Sequence, residues 1–298
     1  MMQNRVTVIG GVNMDVSATM NNDFVAGDSI PGKVSMSCGG VAHNIAHNLC
    51  LLGHEVQFVT VFGGDVFGKM CREACMGVGF GLSHSAVLTD ARNGMYLCVN
   101  DNCGDMVAAV VDNDIMQEMT PDFIASRIDT VNQSTMVVAD TNLSTEALRY
   151  LVDHSTAPLV VDTVSTVKAA RIVDALKQSS NHRLHTLKLN RQEALSVTGC
   201  ETVHDAAQAL VALGVEHVFV TVGDEGVFYC SQDAQHCYDA PSVKVVNTTG
   251  AGDAFVAGIV HGYLLGLPIE QVVQVGQKAA AAALMTLKTV NSDIKKYI

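Results

Sequence analysis

The sequence predicts an α/β fold, a mostly parallel sheet covered by helices on both faces. In the second half of the chain, short apolar runs alternate with stretches of helical spacing; Met136-Val137-Val138-Ala139, Leu159-Val160-Val161 and Val218-Phe219-Val220 are the clearest. Such runs leave no polar face for water, so they fit strands buried on both sides. The 298 residues are 48% hydrophobic and 16% charged, which supplies apolar surface for a large core and argues against a disordered bulk.

The elements follow in order. Arg5 to Ile9 alternates and runs into Gly10-Gly11, a strand and a turn. Val41 to Leu52 has helical spacing (Val41, Ile45, Leu49, Leu52) and stops at Gly53. The β-rich run Val56 to Val61 meets Gly63-Gly64, and Val66 to Met76 is the next helix. Gly94 to Val111 reads as a hairpin: Met95 to Val99 and Met106 to Val111 flank the turn Asp101-Asn102-Cys103-Gly104. Helices Pro121 to Val131, Ser144 to His154 and Val167 to Leu176 then precede strands beginning at Met136, Leu159 and Leu184. Helices Arg191 to Val197 and Val203 to Leu213 precede Val218 to Val220 and the hairpin-like Val227 to Cys230. Helices Gly252 to Leu265 and Ile269 to Leu287 complete the pattern.

Lys and Arg total 18 against 30 Asp and Glu, a formal net charge of −12, with no basic block. Polymeric nucleic acid is therefore not an expected partner, whereas one nucleotide needs only a local pocket. The start MMQNRVTVIG lacks the features of a secretion signal, and no apolar run approaches the ~20 residues of a membrane span. Together with an odd number of cysteines, nine, this predicts a cytoplasmic chain with reduced thiols and no membrane partner. His43 and His47, like Cys71 and Cys75, are four apart and able to share a helical face. Neither pair has a third ligand close by in sequence, so packed side chains are expected there rather than a metal.

The segment richest in chemistry is Asn247-Thr248-Thr249-Gly250-Ala251-Gly252-Asp253-Ala254-Phe255, a glycine turn that opens an apolar helix. The first N–H groups of a helix have no partner within it and point outward with the dipole, which makes an anion site. Asp253 in that first turn is a favourable charge for the helix. Beside a bound phosphate it is also placed to take the proton of an attacking hydroxyl. The Walker A spacing is missing, and Gly10-Gly11 does not provide the glycine fingerprint of a dinucleotide-binding oxidoreductase.

With the glycine turn included, six ordered pieces resemble the ribokinase, or PfkB, family of carbohydrate kinases. The others are Asn13-Met14-Asp15, the di-glycine segment Ser37-Cys38-Gly39-Gly40-Val41-Ala42-His43-Asn44, and Phe62-Gly63-Gly64-Asp65-Val66-Phe67-Gly68. Asn190-Arg191-Gln192-Glu193 and Thr221-Val222-Gly223-Asp224-Glu225-Gly226 complete the set, which spans nearly the whole chain. Within the family the likeness is greatest to pseudouridine kinases. It rests on Val161-Asp162-Thr163-Val164-Ser165-Thr166-Val167-Lys168, on the stretch from His185 to Arg191 and on Val138-Ala139-Asp140-Thr141-Asn142-Leu143-Ser144. Thr163 and Leu189 stand where Pro is usual, and Gly11 where Ser can occur.

The resemblance implies one kinase domain over residues 1–298. Its core would be a ribokinase-like, Rossmann-type three-layer α/β/α structure, with a small β-sheet lid from about residues 15–36 and 94–111 and a hinge at Gly39-Gly40. It implies transfer of phosphate from ATP to the 5′-hydroxyl of pseudouridine. Asp253 would be the catalytic base and Gly250, Ala251 and Gly252 the anion hole. Asn190 and Glu193, with Asp162 in a less defined role, would hold Mg²⁺ and phosphate through waters, because Mg²⁺ keeps much of its hydration. Thr221, Gly223 and Gly226 would border the ATP. Asn13, Asp15, Gly40 and Asn44 would meet the ribose, whose adjacent hydroxyls one carboxylate can accept from together. Asn142 and Lys168 would face the base. Many family members bind K⁺ with an Asp where this chain has Asn247, so K⁺ activation is not expected here. A homodimer through the lid fits the implied fold. The residues alone leave other readings open: Asn13 and Asp15 as turn residues, Lys168 as a solvated helix residue. The alternative activities are phosphorylation of ribose, another sugar or an ordinary nucleoside. A ligand-sensing module without chemistry is the non-enzyme reading, and the intact Asp253, glycine turn, Asn190 and Glu193 count against it.

Overall fold

The computed structural model describes residues 5–298. Strand β1 (Arg5–Ile9) leads into β2 (Asn13–Met20), β3 (Gly32–Gly39) and helix α1 (Val41–Leu51). Next come β4 (Glu55–Val59), β5 (Val61–Gly63), α2 (Val66–Val78), β6 (Ala86–Leu88), β7 (Gly94–Asn100) and β8 (Met106–Asp112). Short helices α3 (Pro121–Ala125) and α4 (Ile128–Asn132) precede β9 (Met136–Asp140), α5 (Thr145–His154), β10 (Leu159–Asp162), α6 (Thr166–Gln178) and β11 (Leu184–Asn190). The chain continues through α7 (Arg191–Thr198), α8 (Val203–Ala212), β12 (Val215–Thr221), β13 (Val227–Cys230) and β14 (Gln235–Tyr238) to α9 (Ala251–Leu264) and α10 (Ile269–Leu284).

The main sheet orders its strands β14-β13-β12-β11-β10-β9-β1-β4. Neighbours from β12 to β4 run parallel, and β13 and β14 add an antiparallel edge. Side chains alternate between two helical layers, as the pleat dictates. Val137, Val161 and Leu187 pack with Leu148, Ile172 and Leu210 of α5, α6 and α8. Val6, Val8, Val138 and Val160 pack on the other face with Ile45, Leu49, Val256 and Val260 of α1 and α9. The result is the expected ribokinase-like three-layer α/β/α core. A second sheet, β3-β2-β7-β8, stands apart from it, with β2 antiparallel to β3 and parallel to β7. It takes in more chain than 15–36, because β2 pairs with β3 from Asn13↔Gly39 to Met20↔Gly32. No helix among the described residues is long and apolar enough to cross a membrane.

Three elements differ from expectation, each for a local reason. The run Val56 to Val61 breaks at Thr60, whose hydroxyl donates to Gly10 O at 2.7 Å while β5 leaves to pair with β6. The helix expected over Pro121 to Val131 is two. The Phe123 carbonyl, which a continuous helix would offer to the Arg127 N–H, accepts from the Arg127 guanidinium at 2.8 Å and the Ser126 hydroxyl at 2.9 Å. Helix α10 stops at Leu284 rather than Leu287, where the Leu284 carbonyl accepts from Val246 N–H at 2.8 Å.

Candidate active site

The parallel strands deliver polar side chains at their carboxyl ends: Asp140 closes β9, Asp162 β10, Asn190 β11 and Thr221 β12. Open α/β sheets take ligands along that edge. Helix α9 begins there. Its N-cap Gly250, at φ 84°, makes no side-chain cap, so its first N–H groups are free of one. A Cβ at Gly250 would lie 2.2 Å from Thr289 O, so both space and conformation demand glycine. Asp253, one turn in, is buried and accepts from Asn44 Nδ2 at 2.8 Å. Burial first, and then the charge of Asp162, pushes its carboxyl up to about 7, against the pull of Asn44 and Lys188. A carboxyl poised there can exchange a proton at neutral pH.

Two residues at the heart of the site went unassigned in the sequence. Lys188 is buried within β11, its Nζ 3.0 Å from Asp162 Oδ2 but out of line for a hydrogen bond, so that oxygen has a charge partner and no donor. A Cβ on Gly252 would meet the same Nζ at 2.7 Å, which sets the ammonium against the glycine turn. Burial opposes its charge, yet Asp162, Glu193 and Asp253 outweigh that and raise its pKa. Its only signal in the sequence is a Lys inside the apolar run Leu187-Lys188-Leu189, a place where lysine is rare unless paired. Asp140 is fully buried; its Oδ2 accepts from Gly11 N–H at 3.2 Å, Ala42 N–H at 3.1 Å and Asn142 Nδ2 at 2.9 Å. It thereby fastens β1, α1 and the loop after β9 together. Burial raises its pKa in spite of these donors.

Asn13, Asp15, Gly40 and Asn44 come together where the second sheet meets α1. Asn13 Nδ2 donates to Asp15 Oδ1, and burial pushes the Asp15 carboxyl up to about 6. Gly40, at φ 107°, has Asn13 Oδ1 only 2.8 Å from where a Cβ would be, so the glycine makes room for that side chain. Asn44 then carries the connection across to Asp253. Lys168 donates to Asn142 Oδ1 at 2.6 Å, and the two line a cavity of about 470 Å³ together with Arg171. Burial lowers the Lys168 pKa.

A second cavity, of about 700 Å³, is lined by Thr221, Gly223, Gly226, Ala251 and Gly252. Asn190 and Glu193 form a capping box on α7: Asn190 Oδ1 accepts from Glu193 N–H at 2.9 Å, and Glu193 Oε2 from Asn190 N–H at 2.8 Å. The Thr163 hydroxyl donates to that same Oε2 at 2.7 Å. The sequence spacing of this pair therefore has a local structural cause as well. Asp162 Oδ2 and Glu193 Oε1 remain as hard oxygen donors, and both residues are recessed enough that a cation would reach them through water. After Asp162 the chain is strained, since β-branched Val164 sits at φ 58° with its N–H on Asp162 Oδ1 at 2.8 Å. Asn247 braces its own turn, accepting from Thr249 N–H at 3.1 Å and donating to Leu287 O at 3.3 Å.

The profile of the pfkB family of carbohydrate kinases matches residues 3–296. The pseudouridine kinase of Escherichia coli is 31% identical over 97% of this chain and 93% of its own length. The guanosine-inosine kinase of Exiguobacterium acetylicum is 26% identical over 94% of each chain. A solved carbohydrate kinase from Agrobacterium tumefaciens superposes with a TM-score of 0.86 at 26% identity, covering 98% of this chain and 95% of that one.

Proposed function

The chain belongs to the pfkB family of carbohydrate kinases, phosphotransferases acting on an alcohol group, and on that premise we propose that it transfers phosphate from ATP to the 5′-hydroxyl of pseudouridine. The observation that carries the substrate is the Lys168–Asn142 pair at the rim of the polar cavity. Uracil joined through carbon keeps two ring N–H donors and two carbonyl acceptors. Asn142 can both accept and donate, and Lys168 donates, so the pair matches that edge. The Escherichia coli relative, a pseudouridine kinase, supports the same reading.

In this reading Asn13 and Asp15 hold the ribose hydroxyls, and Asn44 orients Asp253 through its amide. Asp253 takes the 5′-hydroxyl proton as that oxygen attacks the terminal phosphate. The N–H groups of Gly250, Ala251 and Gly252 receive the phosphate oxygens, and the Lys188 ammonium offsets their charge. The adenosine side of ATP occupies the cavity bordered by Thr221, Gly223 and Gly226. Asp162 and Glu193 would hold hydrated Mg²⁺, which supplies charge neutralisation at the transferred phosphate.

The second sheet acts as the lid, hinged at Gly39-Gly40, and its outer face supports a homodimer. One row across it reads Met36, Val16, Leu97 and Val110, the next Val34, Ala18, Val99 and Ala108, with no polar side chain in either. Val34 is 70% exposed and Val110 61%, an apolar face that a second copy of the chain would cover. Competition among pseudouridine, uridine, inosine and ribose with ADP detection tests the substrate. Preference for any of the last three would overturn it.

A further inference from the structure

We propose that Cys38, His43 and Cys75 form a binding site for a thiophilic d¹⁰ cation of the Zn²⁺ type, at the joint between the two sheets. The residues come from the end of β3, from α1 and from α2, and their ligand-capable atoms lie within 4.8 Å of one another. The sequence argued against a metal because neither the His43/His47 pair nor the Cys71/Cys75 pair had a third ligand nearby. The fold takes one member of each pair and adds Cys38 from the second sheet. Two thiolates and an imidazole suit Zn²⁺, whose bonds of about 2.0–2.3 Å require the donors to close in by about 1 Å. Cys38 can supply that movement. It sits beside the Gly39-Gly40 joint and is partly exposed, which also opens a way in for the ion.

The imidazole keeps one nitrogen with its lone pair available to a metal. Asn44 gives its Nδ2 to Asp253, which turns its Oδ1 toward His43 Nδ1 at 3.1 Å. An amide oxygen only accepts, so Nδ1 carries the proton and Nε2 the lone pair. This is the outer-shell arrangement that orients metal-bound histidines. As each Zn–S bond forms, one thiol proton leaves to solvent, two in all. The fourth position falls to water. Occupancy would tie β3 to α2 and reach Asp253 through His43 and Asn44. That last consequence rests on the kinase reading, whereas binding does not.

Cobalt titration of the reduced, chelator-treated full-length protein, with Zn²⁺ as competitor, tests the site. The expected result is a thiolate-to-cobalt charge-transfer band with the strong visible bands of a tetrahedral ion, both bleached by Zn²⁺. The half-exposed trio His185, Glu216 and His217 also lies within 4.8 Å but has no sulfur, so it cannot produce that band. Cys38→Ser and Cys75→Ser should each weaken binding at least about tenfold, the smallest loss usual for disturbing a metal's outer shell. A Cys103→Ser/Cys237→Ser variant, which removes two exposed thiols, should bind as before. Circular dichroism identifies any variant that has lost its fold; Cys38→Ser, at the partly exposed position, is the one to rely on. Binding without the charge-transfer band, or undiminished in a folded Cys38→Ser protein, overturns the proposal.

Discussion

Replacing Asp253 by Asn should make the protein less active and more stable, and the gain in stability should depend on pH. In the unfolded chain this carboxyl ionises near 3.8; in the folded protein, burial and the charge of Asp162 push it up to about 7. Below the lower value the group is protonated in both states and costs nothing. As pH rises toward 7 the unfolded state loses its proton while the folded state keeps it, so stability falls; above 7 the full cost is carried. A rise from 3.8 to about 7, at 1.36 kcal/mol per unit, makes that cost on the order of 4 kcal/mol. Asn keeps the shape and an oxygen for the Asn44 amide but cannot ionise. Thermal melts of both proteins at pH 4.5 and 8.5 should therefore diverge far more at the higher pH, by about 8–16 °C for the full cost of about 4 kcal/mol at about 2–4 °C per kcal/mol, against the effect of about 1 kcal/mol already lost at pH 4.5. Turnover at pH 7 should fall by roughly 10²–10⁴, the usual contribution of a positioned base. Equal melting differences at the two pH values would refute the burial argument, and near-normal turnover would refute the base.

The remaining expectations concern neighbouring residues. Lys188→Met should destabilise by about 3–5 kcal/mol in denaturant titration, since it strands Asp162 in the interior, and Lys188→Met/Asp162→Asn should recover much of that; a fully additive double variant would mean the two do not interact. With Asn247 committed to its own turn, exchanging K⁺ for Na⁺ at constant ionic strength should change the rate little, and strong K⁺ activation would show that carbonyl ligands suffice. Pseudouridine should exceed uridine in kcat/KM by roughly one to two decades, the effect of leaving a buried polar group unpaired, with Lys168→Ala narrowing the ratio while ATP binding holds. Val164→Gly should leave stability unchanged or raise it by up to about 1 kcal/mol by releasing the left-handed strain; a clear loss would mean that the side chain's packing outweighs it.

Local signals in the sequence carry the layers of the fold well. Apolar runs locate β9 and β10, and the glycine turn locates the start of α9, because each is determined by residues adjacent in the chain. What stayed hidden depends on partners brought from afar. Asp140 is defined by the Gly11 N–H, 129 residues away, and Lys188 by Asp162, from the neighbouring strand. Asn190 and Glu193 illustrate the converse. Their spacing stood out and suggested phosphate chemistry, yet the same spacing closes a helix cap, a local cause that also accounts for it. The break between α3 and α4 was beyond reach of periodicity, since it depends on which donor wins the Phe123 carbonyl.

The place of β1 in the main sheet bears on how the chain assembles. This strand pairs on one side with β4, about fifty residues on, and on the other with β9, Val6 opposite Met136. During synthesis one edge of β1 stays unpaired until β9 has left the ribosome. By then both hairpin strands of the second sheet, β7 and β8, have already emerged. The nascent chain thus passes through an interval in which a bare hydrophobic strand coexists with an apolar four-stranded sheet face, a combination prone to misassociation. Non-local closure of this kind also slows folding. Recombinant yield should consequently respond more to synthesis temperature and chaperone supply than the buried, well-packed final core would suggest.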